Sequence, residues 1–259
     1  ISSGNFRMTL LLASVANLDE AQLVASCGVG IIDLKNPVQG ALGAWSISEV
    51  KAAVTALNRQ HALSATVGDL PMAAEPLVAA VEAMAATGVD YVKLGFFPGG
   101  DWVGVISALQ PITQRGVRLV AVLFADHELD CLHWIPLLAE AGFTGTMLDT
   151  ADKQKGTLTQ LRDTAFLGQF VSEVMKSGML CGLAGSLRAK DVDPLLALGP
   201  DYLGFRGALC GGRRTQALNP AAVNSLLHIL SNTSGQAFEL PPAESHHALQ
   251  PRSPCPVSA

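Results

Sequence analysis

From Met8 onward, short apolar runs rich in β-branched residues alternate with longer stretches whose apolar positions recur at helical spacing. The apolar runs end at Ser14, Lys35, Gly68, Lys93, Phe124, Leu148, Ala184 and Phe205, and each is followed by a segment long enough for a helix. Helical pattern is clearest at Leu18–Ser26, Ser48–Gln60, Glu75–Ala86, Leu132–Ala141, Thr159–Lys176, Ala189–Ala197 and Asn219–Ser231. Ser48 reads as an N-cap, and Gly28, Gly88, Gly142 and Gly178 stand just past helices, where a left-handed residue is wanted. The phrases Gly28-Val29-Gly30-Ile31-Ile32-Asp33 and Gly88-Val89-Asp90-Tyr91-Val92-Lys93 repeat one theme: helix end, tight turn, buried strand. Eight such units in about 225 residues predict an α/β fold, a single-domain (β/α)8 TIM barrel, whose strands are apolar throughout because both faces are covered. A doubly wound sheet is the competing arrangement for the same alternation.

The pattern fails at both ends. Residues 1–7 are expected to be an unstructured lead, residues 8–231 the catalytic barrel, and residues 232–259, rich in Ser, Pro, Ala, Gln and His, a disordered tail. His246, His247 and Cys255 in that tail lack ligand spacing and read as solvated residues. No apolar run is long enough to cross a membrane. The five cysteines are scattered without a CxxC pair, which points to reduced thiols and a cytoplasmic protein, not to a disulfide framework or a zinc site.

Composition narrows the function classes. With 49% hydrophobic and only 15% charged residues, the chain can build a large core and is not a solvating, disordered protein. Its net charge of −5 argues against nucleic-acid binding and leaves room for a small anionic substrate, which would need local cations. Where the few lysines fall therefore matters. In a barrel of this type the active-site groups stand at the C-terminal strand ends. Strand two closes on Asp33-Leu34-Lys35, and a side-chain period of two puts Asp33 and Lys35 on one face. Strand four brings Lys93 to the same level, strand three ends near Asp69, and strand six ends at Asp149 with Lys153 and Lys155 just beyond. Lys51, Lys176 and Lys190 fall on helices or their ends and read as surface residues.

An ion-pair layer closing the barrel mouth is the plain reading of Asp33, Lys35 and Lys93, but a buried ion pair is weak evidence for stability. A lysine held among cations and apolar walls loses its proton more readily, and its neutral amine can form a Schiff base with a carbonyl. A second lysine or an aspartate can then move protons at the adjacent carbon. After strands seven and eight, Ala184-Gly185-Ser186-Leu187 and Phe205-Arg206-Gly207-Ala208 place small residues where barrels build phosphate sites, with Arg213 and Arg214 nearby. Tight helix–strand packing would ask for the same glycines. His127 between Asp126 and Glu128 lines the rim or catalyses, and a divalent metal on Asp126 and Glu128 lacks a third ligand. Trp45, Trp102 and Trp134 read as packing residues.

The ordered motifs IIDLKNPVQGALGAW, SATVGD, DYVKLGFF, FADHE, MLDTADKQKG, CGLAGSL and DYLGFRGALC closely resemble the (5-formylfuran-3-yl)methyl phosphate synthase family over about Met8 to Leu230. The resemblance implies a (β/α)8 barrel that condenses two molecules of glyceraldehyde 3-phosphate, losing water and one phosphate, to the furan precursor of methanofuran or methylofuran. It implies no organic cofactor and no metal, and a homo-oligomer is expected. It makes Lys35 the Schiff-base nucleophile and Lys93 the proton acceptor, with Asp33 orienting Lys35, and Asp149 and Lys153 assisting proton transfer or phosphate departure. Asp69, Lys155, Gly185, Ser186, Arg206 and Gly207 are the expected substrate and phosphate contacts. The chain departs from the family pattern at His127-Glu128, where a lysine is expected. Another Schiff-base aldolase, an isomerase-like proton shuttle, or a silent phosphate-metabolite sensor would use the same rim.

Overall fold

A computed structural model describes residues 8–127, 130–211 and 213–233; the expected lead and most of the expected tail lie outside the described residues. Eight parallel strands form the sheet: β1 (Leu10–Val15), β2 (Ile31–Leu34), β3 (Ala62–Thr66), β4 (Tyr91–Phe96), β5 (Leu119–Phe124), β6 (Gly145–Asp149), β7 (Leu180–Leu183) and β8 (Tyr202–Phe205). They pair in chain order, and β8 closes on β1 with Leu10 opposite Tyr202 and Ala13 opposite Phe205. The chain is therefore a closed barrel in one domain, and the doubly wound alternative is excluded.

The period of two sorts each strand into an outer and an inner set. Outward residues such as Leu11, Ala13, Ile32, Leu34, Ala121, Leu123, Leu183 and Leu203 pack under the helices in one continuous core. Inward residues fill the lumen instead, with Leu12, Ile31, Tyr91, Val120, Met147 and Tyr202 in contact there. Interior packing fixes side-chain size locally. A Cβ on Gly182 of β7 would lie 2.2 Å from Cε2 of the buried Tyr202 ring, so this lumen position has room for a hydrogen only.

The helices follow the strands: α1 (Leu18–Ser26), α2 (Ile47–Leu57), α3 (Ala74–Ala85), α4 (Trp102–Gln114), α5 (Cys131–Glu140), α6 (Leu158–Leu161), α7 (Thr164–Lys176), α8 (Val192–Leu196) and α9 (Pro220–Thr233). Gly28, Gly88, Gly142 and Gly178 take φ values of 79°, 88°, 78° and 73°, the left-handed conformation expected after a helix. Several boundaries differ from the sequence reading. The N-cap of α2 is Ser46, not Ser48, because Ser46 and Glu49 form a reciprocal capping box: the Glu49 carboxylate accepts from Ser46 N at 2.9 Å. The expected helix Thr159–Lys176 is two helices, since Arg162 is extended and the Asp163 carboxylate caps a new helix at Phe166 N. The segment Ala189–Ala197 starts as a 3-10 turn before α8. Helix α4 had no sequence assignment because Gly104 and Pro111 interrupt its pattern, yet Trp102, Val105, Ile106, Leu109 and Ile112 give it a buried stripe. Helix α9 runs to Thr233, two residues past the expected end of the barrel. Among the described residues no helix is long and apolar enough to cross a membrane.

Gly182→Ala should destabilise the barrel by about 1–3 kcal/mol through overpacking against Tyr202. A lowered denaturant midpoint with unchanged secondary structure by circular dichroism is the expected result, and an unshifted midpoint contradicts this account of the lumen.

Candidate active site

At the C-terminal end of the lumen the apolar filling gives way to five ionisable side chains: Asp33, Lys35, Lys93, Asp149 and Lys153. Strand alternation explains the first four, since Asp33 and Lys93 point inward from β2 and β4, Lys35 follows β2 by one residue, and Asp149 ends β6. Asp33 is fully buried and is held from three sides. Ser14 Oγ donates to its Oδ2 at 2.8 Å, Ser64 Oγ to its Oδ1 at 2.7 Å, and Lys93 Nζ to Oδ1 at 3.0 Å. Asp149 forms the second centre. Lys153 Nζ donates to its Oδ1 at 2.7 Å and Thr150 N to the same oxygen at 2.7 Å, while Lys35 Nζ lies 3.4 Å from Oδ2. Lys153 Nζ also donates to the Thr150 carbonyl and, at 3.2 Å, to Thr150 Oγ1.

Three ammonium groups thus share two carboxylates in a nearly solvent-free layer. Burial alone would raise the Asp149 carboxyl, but the charges of Lys153 and Lys35 and the hydrogen bonds from Lys153 and the Thr150 amide outweigh it and hold the group far below the usual carboxylate range. Asp33 is likewise lowered, its burial overcome by Lys93 and Lys35 and by the Ser64 hydroxyl. Both aspartates are therefore charged. The lysines are not matched to them in number, and burial pushes the Lys93 and Lys153 ammonium groups below their ordinary value, Asp33 and Asp149 pulling each back in part and Lys35 pushing the same way as burial. Lys93 sits deeper, with its side chain 2% exposed, and is fixed on Asp33; the Lys35 side chain is 10% exposed and its ion pair is the longest of the set. An amine able to lose its proton beside a less restrained one is what imine chemistry needs.

Above this layer opens a cavity of about 620 Å³, lined by Ser14, Lys35, Lys93, Asp149 and Lys153 on its floor and by the loops after β7 and β8 on one wall. Gly185 and Ser186 are both left-handed, with φ of 108° and 53°. Space requires the glycine too, because a Cβ there would meet Thr150 Cγ2 at 2.9 Å and its backbone N at 3.2 Å. Among the described residues, the N–H groups of Gly185, Ser186, Leu187, Gly207 and Ala208 have no protein acceptor, and all five residues line the cavity. Such a set of free amides fits an oxyanion.

Three expected substrate contacts have other roles in the structure. The Arg206 guanidinium is committed to the buried Glu20 carboxylate, with Nη1 at 2.5 Å from Oε2, and to the carbonyls of Ser14, Arg214 and Gln216. It ties the β8 loop to α1 and has little left for a ligand. The Asp69 carboxylate accepts from Ala41 N and Leu42 N at 2.8 and 2.6 Å, and so splints the loop that follows Lys35. Gly40 must be glycine there, since a Cβ would lie 2.1 Å from Asp69 Oδ2. Lys155 is exposed, reaches the Asp126 carbonyl at 3.3 Å and does not line the cavity. Asp126 is a loop splint of the same kind, accepting from Ala151 N and Asp152 N at 2.7 Å each. His127 turns its ring edge-on to Phe124 and lies outside the cavity lining. Glu128 lies outside the described residues. Among those described, no cluster of His, Cys, Asp and Glu could hold a metal ion.

Sequence reasoning missed Ser14 and Ser64 as the hydroxyls that hold Asp33, and Arg188, an exposed arginine on the cavity wall. The inward parity of Ser14 and Ser64, shared with Asp33 across β1, β2 and β3, was the available signal.

With this geometry in view, the comparisons are specific. The family model described as 4-HFC-P synthase matches residues 11–227. The chain is 34% identical to the (5-formylfuran-3-yl)methyl phosphate synthase of Methanosarcina mazei over 233 residues, covering 84% of this chain and 97% of that one. It is 34% identical to the enzyme of the same name from Methanopyrus kandleri over 236 residues, 85% of this chain and 98% of that one. A Methylorubrum extorquens protein that carries this name provisionally is 40% identical over 214 residues, 82% and 88% of the two chains. Among solved structures, 3-hexulose-6-phosphate synthase from Salmonella typhimurium superposes with a TM-score of 0.61 at 17% identity, over 85% of this chain and 99% of that one, a likeness of fold alone.

Asp33→Asn removes the carboxylate that helps Lys93 keep its proton, so the Lys93 ammonium should give up that proton at a lower pH, by about one pH unit or more. Titration of the Lys93 ε-carbon by 13C NMR in selectively labelled protein should show the midpoint moving down. A midpoint that stays or rises contradicts the coupling.

Proposed function

The chain belongs to the 4-HFC-P synthase family, and we propose that, like the relatives named for this activity, it makes (5-formylfuran-3-yl)methyl phosphate, from two molecules of glyceraldehyde 3-phosphate. The overall balance is closed by the loss of one phosphate and two molecules of water, with no net oxidation or reduction. The observation that carries the reading is the buried layer in which Lys35 and Lys93 share one cavity with Asp149 and Lys153. Each has a distinct setting.

Lys35 attacks the aldehyde carbon of one triose and expels its oxygen as water, leaving a protonated imine. The imine acidifies the adjacent C–H. Lys93, whose ammonium burial disfavours, takes that proton in its neutral form, and Asp33 steadies the charge it acquires. The resulting enamine makes the carbon–carbon bond to the second triose. Lys153, bonded to Asp149 and Thr150, donates protons to departing oxygens, the phosphate included, and the ring closes as the Lys35 amine is released. Aromatisation of the furan makes the eliminations irreversible. The free amides of Gly185, Ser186, Leu187, Gly207 and Ala208, with Arg188 beside them, hold a substrate phosphate. Asp69 and Arg206 act indirectly, by fixing the loops on either side.

Borohydride added during incubation with glyceraldehyde 3-phosphate should leave a reduced adduct on Lys35, read by peptide mass spectrometry. Lys35→Ala should lose both the adduct and turnover. Lys93→Ala should still be trapped while product formation falls by about 10²-fold or more. An adduct on another lysine, or full activity in Lys93→Ala, contradicts the assignment.

A further inference from the structure

A reaction that joins two phosphorylated trioses must seat two phosphates, and the loops after β7 and β8 offer one cradle of amides. A second cavity of about 460 Å³ lies beside the first, its lining including Ala41, Asp69, Asp152, Lys153, Gln154 and Arg214. Lys153 and Arg214 line both cavities and so form the wall between them. The second cavity has few free amides, because Ala41 N is held by Asp69, Ala151 N and Asp152 N by Asp126, and Gln154 N by Asp152. An anion there would have to be met by side chains.

Three arginines line the two cavities. Arg206 is paired with Glu20. Arg188 and Arg214 have no carboxylate partner among the described residues. The Arg214 Nη2 donates to the Pro37 and Gly40 carbonyls at 2.5 and 3.1 Å, which fixes the guanidinium in place, while its Nε and Nη1 have no acceptor among the described residues. A half-buried, immobilised arginine with unused donors, next to an ammonium shared with Asp149, is suited to a dianionic oxygen cluster. Neither carboxylate of the second cavity is paired with these donors among the described residues: Asp69 accepts from two backbone amides and Asp152 from one. We infer that the second cavity is the subsite for the second triose phosphate, and that Arg214, with Lys153, binds its phosphate, while Arg188 and the amide cradle bind the first. This rests on the proposed synthase reaction for the identity of the ligand, and on the paired cavities for the number of sites.

The test uses the full chain and two variants, Arg214→Gln and Arg188→Gln. Calorimetric titration with inorganic phosphate should give two sites in the unsubstituted protein and one in Arg214→Gln. With glyceraldehyde 3-phosphate, Arg214→Gln should raise the concentration for half-maximal product formation by about tenfold or more, the worth of a lost charge-assisted contact. Its concentration dependence for borohydride trapping at Lys35, which needs one triose only, should stay as in the unsubstituted protein. Arg188→Gln should weaken trapping and product formation together. Equal weakening of both readouts in Arg214→Gln would show that Arg214 only holds the Pro37–Gly40 loop, and overturns the inference. A single phosphate site in the unsubstituted protein overturns it as well. If no furan forms at all, the synthase reading fails, and two phosphate sites reduced to one in Arg214→Gln would still uphold the second anion site.

Discussion

The structure depends on a mismatch: three lysines and two aspartates occupy one layer at the top of a barrel lumen filled below them mainly by apolar and aromatic side chains. Desolvation makes an unpaired buried charge costly, so the layer persists only because every carboxylate oxygen has a hydrogen-bond donor. Ser14, Ser64 and Thr150 supply the donors that lysines do not. The surplus positive charge cannot be removed by pairing within the layer. It can be relieved by loss of a proton or by arrival of an anion, and a phosphorylated carbonyl compound offers use for both, a neutral amine to attack and a cationic surface to bind.

Around this layer the loops are fixed by side chains, and two of them, Asp69 and Arg206, are ones the sequence points toward the ligand. Asp69, Asp126 and the Glu20–Arg206 pair each fasten a strand-following loop to its neighbour. Such splints hold the rim in one arrangement without further ordering, and among the described residues the amides of Gly185, Ser186, Leu187, Gly207 and Ala208 have no protein acceptor. Left-handed Gly185 and Ser186 make that loop possible.

The barrel was legible because its signal is local and repeated: apolar runs, helical periods and glycines past helix ends recur at regular spacing. The inner lysines and aspartates were legible too, since alternation along β2, β4 and β6 decides which way a strand-end residue points. What escaped was set by distant partners or by broken local pattern. Nothing near Arg206 announces that Glu20, far away in the chain, will neutralise it. Asp69 resembles a rim carboxylate until the loop holding Ala41 and Leu42 folds onto it. Helix α4 was missed because Gly104 and Pro111 mask a stripe that tertiary packing enforces. The family resemblance implies roles for Lys35 and Lys93; it carries no sign that Asp69 and Arg206 also hold loops together.

The central claim is that this buried, charge-mismatched layer converts two triose phosphates into a furan without further reagents. The most direct measurement is incubation of the purified chain with glyceraldehyde 3-phosphate alone, following ultraviolet absorbance and released phosphate together. The account predicts a conjugated furan-aldehyde band with one phosphate released and two triose molecules consumed per furan. Phosphate release or triose consumption without the band would contradict it.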